Sequence, residues 1–216
     1  MAIARDAPYI WVTWISSLLA GGNHCEWATW FRAHFQDYDR RPSNFDQATW
    51  RAQHGEMVRT RAAGLRAQGY DVYIEDQNRF SYRGRAATLG GKPGLVAVRE
   101  TEALVVDCKT GKQRDSDYFQ VLTYMLLLPR THSACHHRTL AGEIQYRGSS
   151  LFIEPQELTS ELKLLIRTMI ERVAGDTILP RVPSFYECRF CELGRKDCPE
   201  RIYSEPLSQL PEHELF

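Results

Sequence analysis

Residues Lys92–Tyr124 read K-P-G-L-V-A-V-R-E-T-E-A-L-V-V-D-C-K-T-G-K-Q-R-D-S-D-Y-F-Q-V-L-T-Y. Two apolar runs, Leu95–Val98 and Ala103–Val106, flank the polar turn Arg99-Glu100-Thr101-Glu102. Short runs rich in β-branched residues around such a turn predict a β-hairpin. The second strand ends in Asp107-Cys108-Lys109. Side chains alternate along a strand, so Asp107 and Lys109 share one face and Cys108 takes the other. An acid and a lysine at this spacing can hold a divalent cation and steady an anion beside it. A buried helix is expected from about Asp117 to Leu128, giving way at Pro129. Its residues Gln120 and Tyr124 fall on one face at i, i+4, looking back at the strand end.

Upstream, a helix is expected from about Asp46 to Gln68, with Trp50, His54, Val58, Ala62 and Leu65 as one stripe. His54 therefore points inward, the ordinary place of a satisfied core histidine. Arg51, Arg59, Arg61 and Arg66 lie on the same helix, as a phosphate-facing strip or a solvated face. Asp71–Glu75 reads as a strand leading to Arg79–Arg83, with pairing to the hairpin expected, and Ala87–Pro93 leads into the hairpin. Residues 9–38 read as a helix, a break at Gly21-Gly22-Asn23, and a second helix opened by Cys25, its aromatic residues in the core. Arg40–Asn44 reads as a loop.

Downstream, residues 130–141 read as a loop whose His132, Cys135, His136 and His137 lack a usual zinc spacing. Glu143–Arg147 and Leu151–Glu154 read as a second hairpin around Gly148-Ser149-Ser150. A helix follows from Pro155 to Gly175, with Leu158, Leu162, Leu165, Met169 and Val173 on its apolar face. The order of parts predicts an α/β fold with a mixed sheet, one domain throughout residues 1–216.

The chain has 216 residues, 27 Lys+Arg and 27 Asp+Glu, so its net charge gives no global pull toward nucleic acid. A nucleic-acid site would need a local basic patch. No apolar run approaches the ~18 residues of a membrane span. Met1–Asp6 lacks a signal-peptide layout, so a cytoplasmic, reducing setting is expected. In that setting six cysteines serve as metal ligands or buried thiols rather than as disulfides.

The tail after Pro183 contains Cys188, Cys191 and Cys198 in the pattern C-x2-C-x6-C. Two thiolates three apart can grip a metal centre, and the third leaves it one ligand short. Cys25 is the natural fourth, which would close residues 180–216 onto the start of the chain. Spacing alone allows a four-cysteine zinc site as well as an iron–sulfur cluster. Arg189, Arg195, Lys196 and Arg201 make the tail locally basic, so it could touch phosphates.

The order hairpin, Asp107-Cys108-Lys109, then Gln120…Tyr124 resembles the RecB-like branch of the PD-(D/E)XK nucleases. The split cysteine set is similar to that of AddB and the RecB-like nucleases of CRISPR adaptation. The resemblance implies a restriction-endonuclease-like mixed sheet flanked by helices, with a C-terminal metal-cluster tail. It implies a metal-dependent DNA nuclease, acting on single-stranded ends or overhangs, with protein partners in DNA processing or CRISPR adaptation. His54 and Asp107, with the backbone carbonyl of Cys108, would hold Mg²⁺ or Mn²⁺. Lys109, Gln120 and Tyr124 would complete the catalytic set. Cys25, Cys188, Cys191 and Cys198 would carry a [4Fe–4S] cluster, with zinc as the alternative. Gly94 stands where the family offers an Asp. The alternative function is therefore a catalytically impaired DNA- or partner-binding module of the same fold. An Asp at position 94 is expected to be tolerated by the hairpin and to raise metal affinity and activity. Asp71, Glu75 and Asp76 are further acids within reach of the neighbouring strand.

Overall fold

The computed structural model describes residues 2–22, 25–42 and 45–205. Asn23, Ser43, Asn44 and residues 206–216 of the tail lie outside the described residues. The chain opens with strands β1 (Ile3–Ala4) and β2 (Tyr9–Trp11), helices α1 (Val12–Leu19) and α2 (Glu26–His34), and β3 (Phe35–Gln36). The long helix α3 (Gln47–Ala67) leads to β4 (Asp71–Ile74), β5 (Phe80–Arg83) and β6 (Thr88–Gly91). The hairpin is β7 (Leu95–Arg99) and β8 (Glu102–Lys109), followed by α4 (Asp115–Thr131). Strands β9 (Thr139–Tyr146) and β10 (Ser150–Ile153), then helices α5 (Ser160–Ala174) and α6 (Phe185–Phe190), complete it.

The central sheet has five strands in the order β10-β9-β8-β7-β4. β8 and β9 run parallel from Glu102↔Thr139 to Lys109↔Tyr146, and the other neighbours are antiparallel. A parallel pair needs a crossover, and α4 supplies it. Alternation along the hairpin divides the two faces. Leu95, Ala97, Leu104, Val106 and Cys108 pack with Val58, Ala62 and Leu65 of α3. Val96, Val98, Ala103 and Val105 join the larger core on the opposite face, with Val121, Leu122 and Met125 of α4. Each of the valines, leucines and Met125 among them contributes about 1.5–3 kcal/mol on full burial, and the alanines less. Asp46 caps α3, its carboxylate accepting the Thr49 N–H at 3.0 Å.

Several elements depart from the sequence expectations. Tyr9–Trp11 is a strand, parallel to β6, rather than the start of a helix. Asp71–Ile74 pairs with β7 of the hairpin, as expected, and the following Phe80–Arg83 pairs with Thr88–Gly91 in a separate three-stranded sheet. A Cβ at Gly91 would lie 2.5 Å from Phe80 and 2.9 Å from Tyr124, so close packing demands glycine in β6 and conceals the strand in the sequence. Helix α4 passes through Pro129 to Thr131, since a proline this late removes one bond from the final turn. The expected loop at 130–141 contains a 3-10 turn at Ser133–Cys135, and Cys135 is fully buried. On α5, Ile166 is buried where Leu165 was expected, and Leu165 is 44% exposed.

The tail lies against the start of the chain. The Trp27 N–H donates to the Pro180 carbonyl at 3.0 Å, and the Gly194 N–H to the Asp39 carbonyl at 2.7 Å. Glu192 accepts from the Tyr38 hydroxyl at 2.9 Å and pairs with Arg32 at 3.2 Å. Asp197 accepts the Asp39 N–H at 2.6 Å.

Candidate functional site

The ends of β4 and β8, the start of β7, and the facing sides of α3 and α4 enclose a cleft of about 770 Å³. Asp107, Lys109 and Gln120 line it, as do His54 and Cys108. The ammonium of Lys109 lies 2.8 Å from Asp107 Oδ2 and 3.2 Å from Asp117 Oδ1. It also donates to Gln120 Oε1 at 2.8 Å, and Gln120 Nε2 donates to the Tyr124 hydroxyl at 3.3 Å. Tyr124 is buried behind Gln120 rather than in the cleft lining, so its contact is with Gln120. Four residues spread over two elements thus form one connected set, arranged by strand alternation and helical i, i+4 spacing.

Asp117 and Tyr146 extend this set and were not singled out from the sequence. The Tyr146 hydroxyl donates to Asp117 Oδ2 at 3.0 Å, a buried contact that fixes the carboxylate toward Lys109. The signal for Asp117 was its place in the first turn of α4, three residues before Gln120. Burial pulls the Lys109 pKa down, but Asp107 and then Asp117 outweigh it, and the net shift is upward. Lys109 is therefore a fixed cation at neutral pH, suited to anion stabilisation and unsuited to accepting a proton. The Cys108 thiol is pushed up to about 12, first by burial and then by the Asp107 charge. Its side chain belongs to the core beneath α3.

His54 reaches the cleft from α3, stacked on Trp50 with ring centroids 4.8 Å apart. Its Nε2 lies 3.5 Å from Glu75 Oε1, while Nδ1 is buried without a hydrogen-bond partner. Glu75 follows β4 directly, at φ +45°, and its N–H donates to the Gly94 carbonyl at 2.9 Å. Gly94 also lines the cleft. A Cβ there would meet the Val106 carbonyl oxygen at 3.2 Å, so the hairpin does not accept an Asp at 94 without shifting. The expected tolerance therefore requires the Val106 carbonyl to give by a few tenths of an ångström.

Around the rim, Phe45 is 57% and Trp50 38% exposed, with Arg51, Lys92, Lys112 and Arg114 among the lining residues. Arg61 does not belong to a phosphate-facing strip. Its guanidinium makes two bonds to the buried Glu143 carboxylate, at 2.7 and 2.5 Å.

Cys25, Cys188, Cys191 and Cys198 line a second cavity, of about 80 Å³. Arg201 is buried beside it and donates to the carbonyls of Cys188, Cys191 and Leu193, which removes it from the basic surface expected of the tail. The Ile202 N–H donates to Cys188 Sγ at 3.4 Å. Burial raises the Cys25 thiol, and burial also raises that of Cys198, to which its three neighbouring cysteines add. Among the described residues, no three His, Cys, Asp or Glu side chains are already drawn in around one point at single-ion spacing. His132 packs edge-on to Tyr73 and joins no such group.

The family model of the PD-(D/E)XK nuclease superfamily matches residues 18–195. The chain belongs to that superfamily, whose members are typically nucleases. The mixed sheet with flanking helices agrees with the restriction-endonuclease-like fold. The chain is similar to a solved structure titled "Crystal structure of SSO0001", at 14% identity and a TM-score of 0.48, over 88% of this chain and 85% of that one. No curated protein matches it. Among the described residues, no helix is long and apolar enough to cross a membrane.

Proposed function

We propose that this protein is a metal-dependent nuclease that hydrolyses phosphodiester bonds at single-stranded DNA ends, in the cytoplasm. The observation that carries the reading is the position of Lys109, held between Asp107, Asp117 and Gln120 in the floor of the cleft. Asp107, His54 and the Cys108 carbonyl would hold Mg²⁺ or Mn²⁺. Asp107 Oδ2, buried and ion-paired with Lys109 but without hydrogen-bond geometry, and His54 Nε2, 3.5 Å from Glu75, fit a polar ligand in this cleft. When bound, the cation supplies Lewis acidity and a more acidic water. Lys109 stabilises negative charge gathering on the scissile phosphate, Gln120 holds Lys109 in place, and Tyr124 holds Gln120. Exposed Phe45 and Trp50 at the rim favour unpaired bases, which can stack on aromatic faces.

The four-cysteine cavity would carry a [4Fe–4S] cluster. Its support is the gathering of all four thiols around one cavity larger than a water molecule. One domain, with the tail closed onto Cys25, is the arrangement these contacts favour. Gly94 supports the second reading, a binding module without catalysis, because it offers no carboxylate to a cation. A nuclease assay on single- and double-stranded DNA with Mg²⁺ and with Mn²⁺ separates the two. Cleavage of single strands that Asp107→Asn abolishes is expected; salt-sensitive binding with no cleavage in either metal establishes the second reading.

A further inference from the structure

We propose that Glu75 supplies the carboxylate that Gly94 lacks, and that a divalent cation draws Glu75, Asp107 and His54 together, since the three line one cleft but do not stand at single-ion spacing without it. This rests on the nuclease reading and deepens it. Position 94 is tight for the missing group, because a Cβ there would lie 3.2 Å from the Val106 backbone carbonyl oxygen, which would have to move by a few tenths of an ångström. The strand on the far side of β7 offers a carboxylate instead. β4 pairs with β7 up to Ile74↔Leu95, and the next residue, Glu75, donates its N–H to the Gly94 carbonyl at 2.9 Å. That bond ties Glu75 to the vacant position. The positive φ of 45° then departs from strand geometry, and the Glu75 side chain lines the cleft that Asp107 also lines.

Two further groups point to a ligand. The Asp107 side chain is 9% exposed, and its Oδ2 has no hydrogen-bond partner. The 2.8 Å contact of that oxygen with Lys109 is an ion pair without hydrogen-bond geometry, so the lone pairs are not used up. His54 Nε2 faces Glu75 Oε1 at 3.5 Å, beyond a normal hydrogen bond, so imidazole and carboxylate stand on either side of a gap that a cation could bridge. Two carboxylates and one imidazole make a mostly oxygen donor set. Such a set suits Mg²⁺ or Mn²⁺, with imidazole better tolerated by Mn²⁺.

The test is Mn²⁺ titration by calorimetry, with the resonance of bound Mn²⁺ followed alongside, on wild type, Asp107→Asn, Glu75→Gln and Glu75→Gly. Glu75→Gln keeps size and polarity and removes the charge. Glu75→Gly removes the side chain and relaxes the left-handed backbone, so it should melt no lower than wild type while losing the metal. Both Glu75 variants are expected to bind Mn²⁺ about tenfold more weakly or worse, and to lose cleavage with it. Wild-type Mn²⁺ affinity in Glu75→Gln or Glu75→Gly, with affinity lost in Asp107→Asn, overturns the role of Glu75 and leaves the nuclease reading intact. Absence of both Mn²⁺ binding and cleavage in the wild type overturns the two together.

Discussion

Burial lowers the Lys109 pKa, but Asp107 and then Asp117 outweigh it, and the ammonium persists above the usual lysine range. Replacing it by methionine leaves two carboxylates facing each other without their shared cation. Lys109→Met should lower the cleavage rate about 10²-fold or more, as loss of a transition-state donor does. A Lys109→Met variant that cleaves at the wild-type rate removes Lys109 from the chemistry. The same pair sets an alkaline limit. A lysine raised on folding contributes stability in full below its unfolded value of about 10.4, and that contribution is lost as pH rises through the folded value. In urea unfolding, the wild-type advantage over Lys109→Met should hold steady from about pH 7 to 9 and shrink above about pH 10.4. An advantage unchanged across the alkaline range would contradict the upward shift. Asp107, Lys109, Gln120 and Tyr124 were legible in the sequence because their relations are local: i, i+2 on a strand and i, i+4 on a helix. Asp117 escaped notice because its partners, Lys109 and Tyr146, meet only when α4 crosses from β8 to β9.

Helix α3 shows what a stripe does not reveal. Its apolar positions Val58, Ala62 and Leu65 were readable from periodicity and do pack on the hairpin. Arg61, one residue before Ala62, read as surface, yet it fastens α3 to β9 through Glu143, which is 5% exposed. Arg61→Met strands a buried carboxylate and should cost about 3 kcal/mol in chemical unfolding, and Glu143→Leu added to it should restore most of that. Equal loss in the single and double variants would mean that the pair does not hold α3. The hairpin itself was legible from its two β-branched runs and polar turn. β2, β5 and β6 were not, because a glycine-rich strand carries little propensity and is recruited by partners distant in sequence. The same limit hid the crowding at Gly94. Gly94→Asp forces a Cβ against the Val106 carbonyl, and a destabilisation of about 1–3 kcal/mol is expected, without gain in Mn²⁺ affinity over wild type. A stable Gly94→Asp variant with tighter Mn²⁺ binding would show that the strand end yields.

At the scale of the whole molecule, the ends of the described chain are joined by polar contacts that each contribute little. Tyr38, Asp39 and Arg32 hold Glu192, Gly194 and Asp197, and Trp27 holds Pro180. Typical net worth is about 1 kcal/mol per hydrogen bond, and water competes for those that are exposed. A metal centre shared by Cys25, Cys188, Cys191 and Cys198 would add a crosslink across most of the sequence. Closing so long a loop restricts the unfolded chain by an amount worth up to about 4–5 kcal/mol in the entropic account. Arg201 supports such a crosslink, because its buried guanidinium already fixes the carbonyls of Cys188 and Cys191. Protein purified without oxygen should therefore be brown, contain iron and sulfide, and absorb broadly near ~400 nm. Bleaching by oxygen or a chelator should lower the melting temperature and open the tail to proteolysis after Pro180, and Cys198→Ala should reproduce both effects. The melting temperature must fall with the colour, since the crosslink acts through the unfolded state whether or not DNA is present. One zinc per chain with no iron would keep the crosslink and replace the cluster. Protein free of both metals, with the same melting temperature in Cys198→Ala, would leave the tail held by its hydrogen bonds alone.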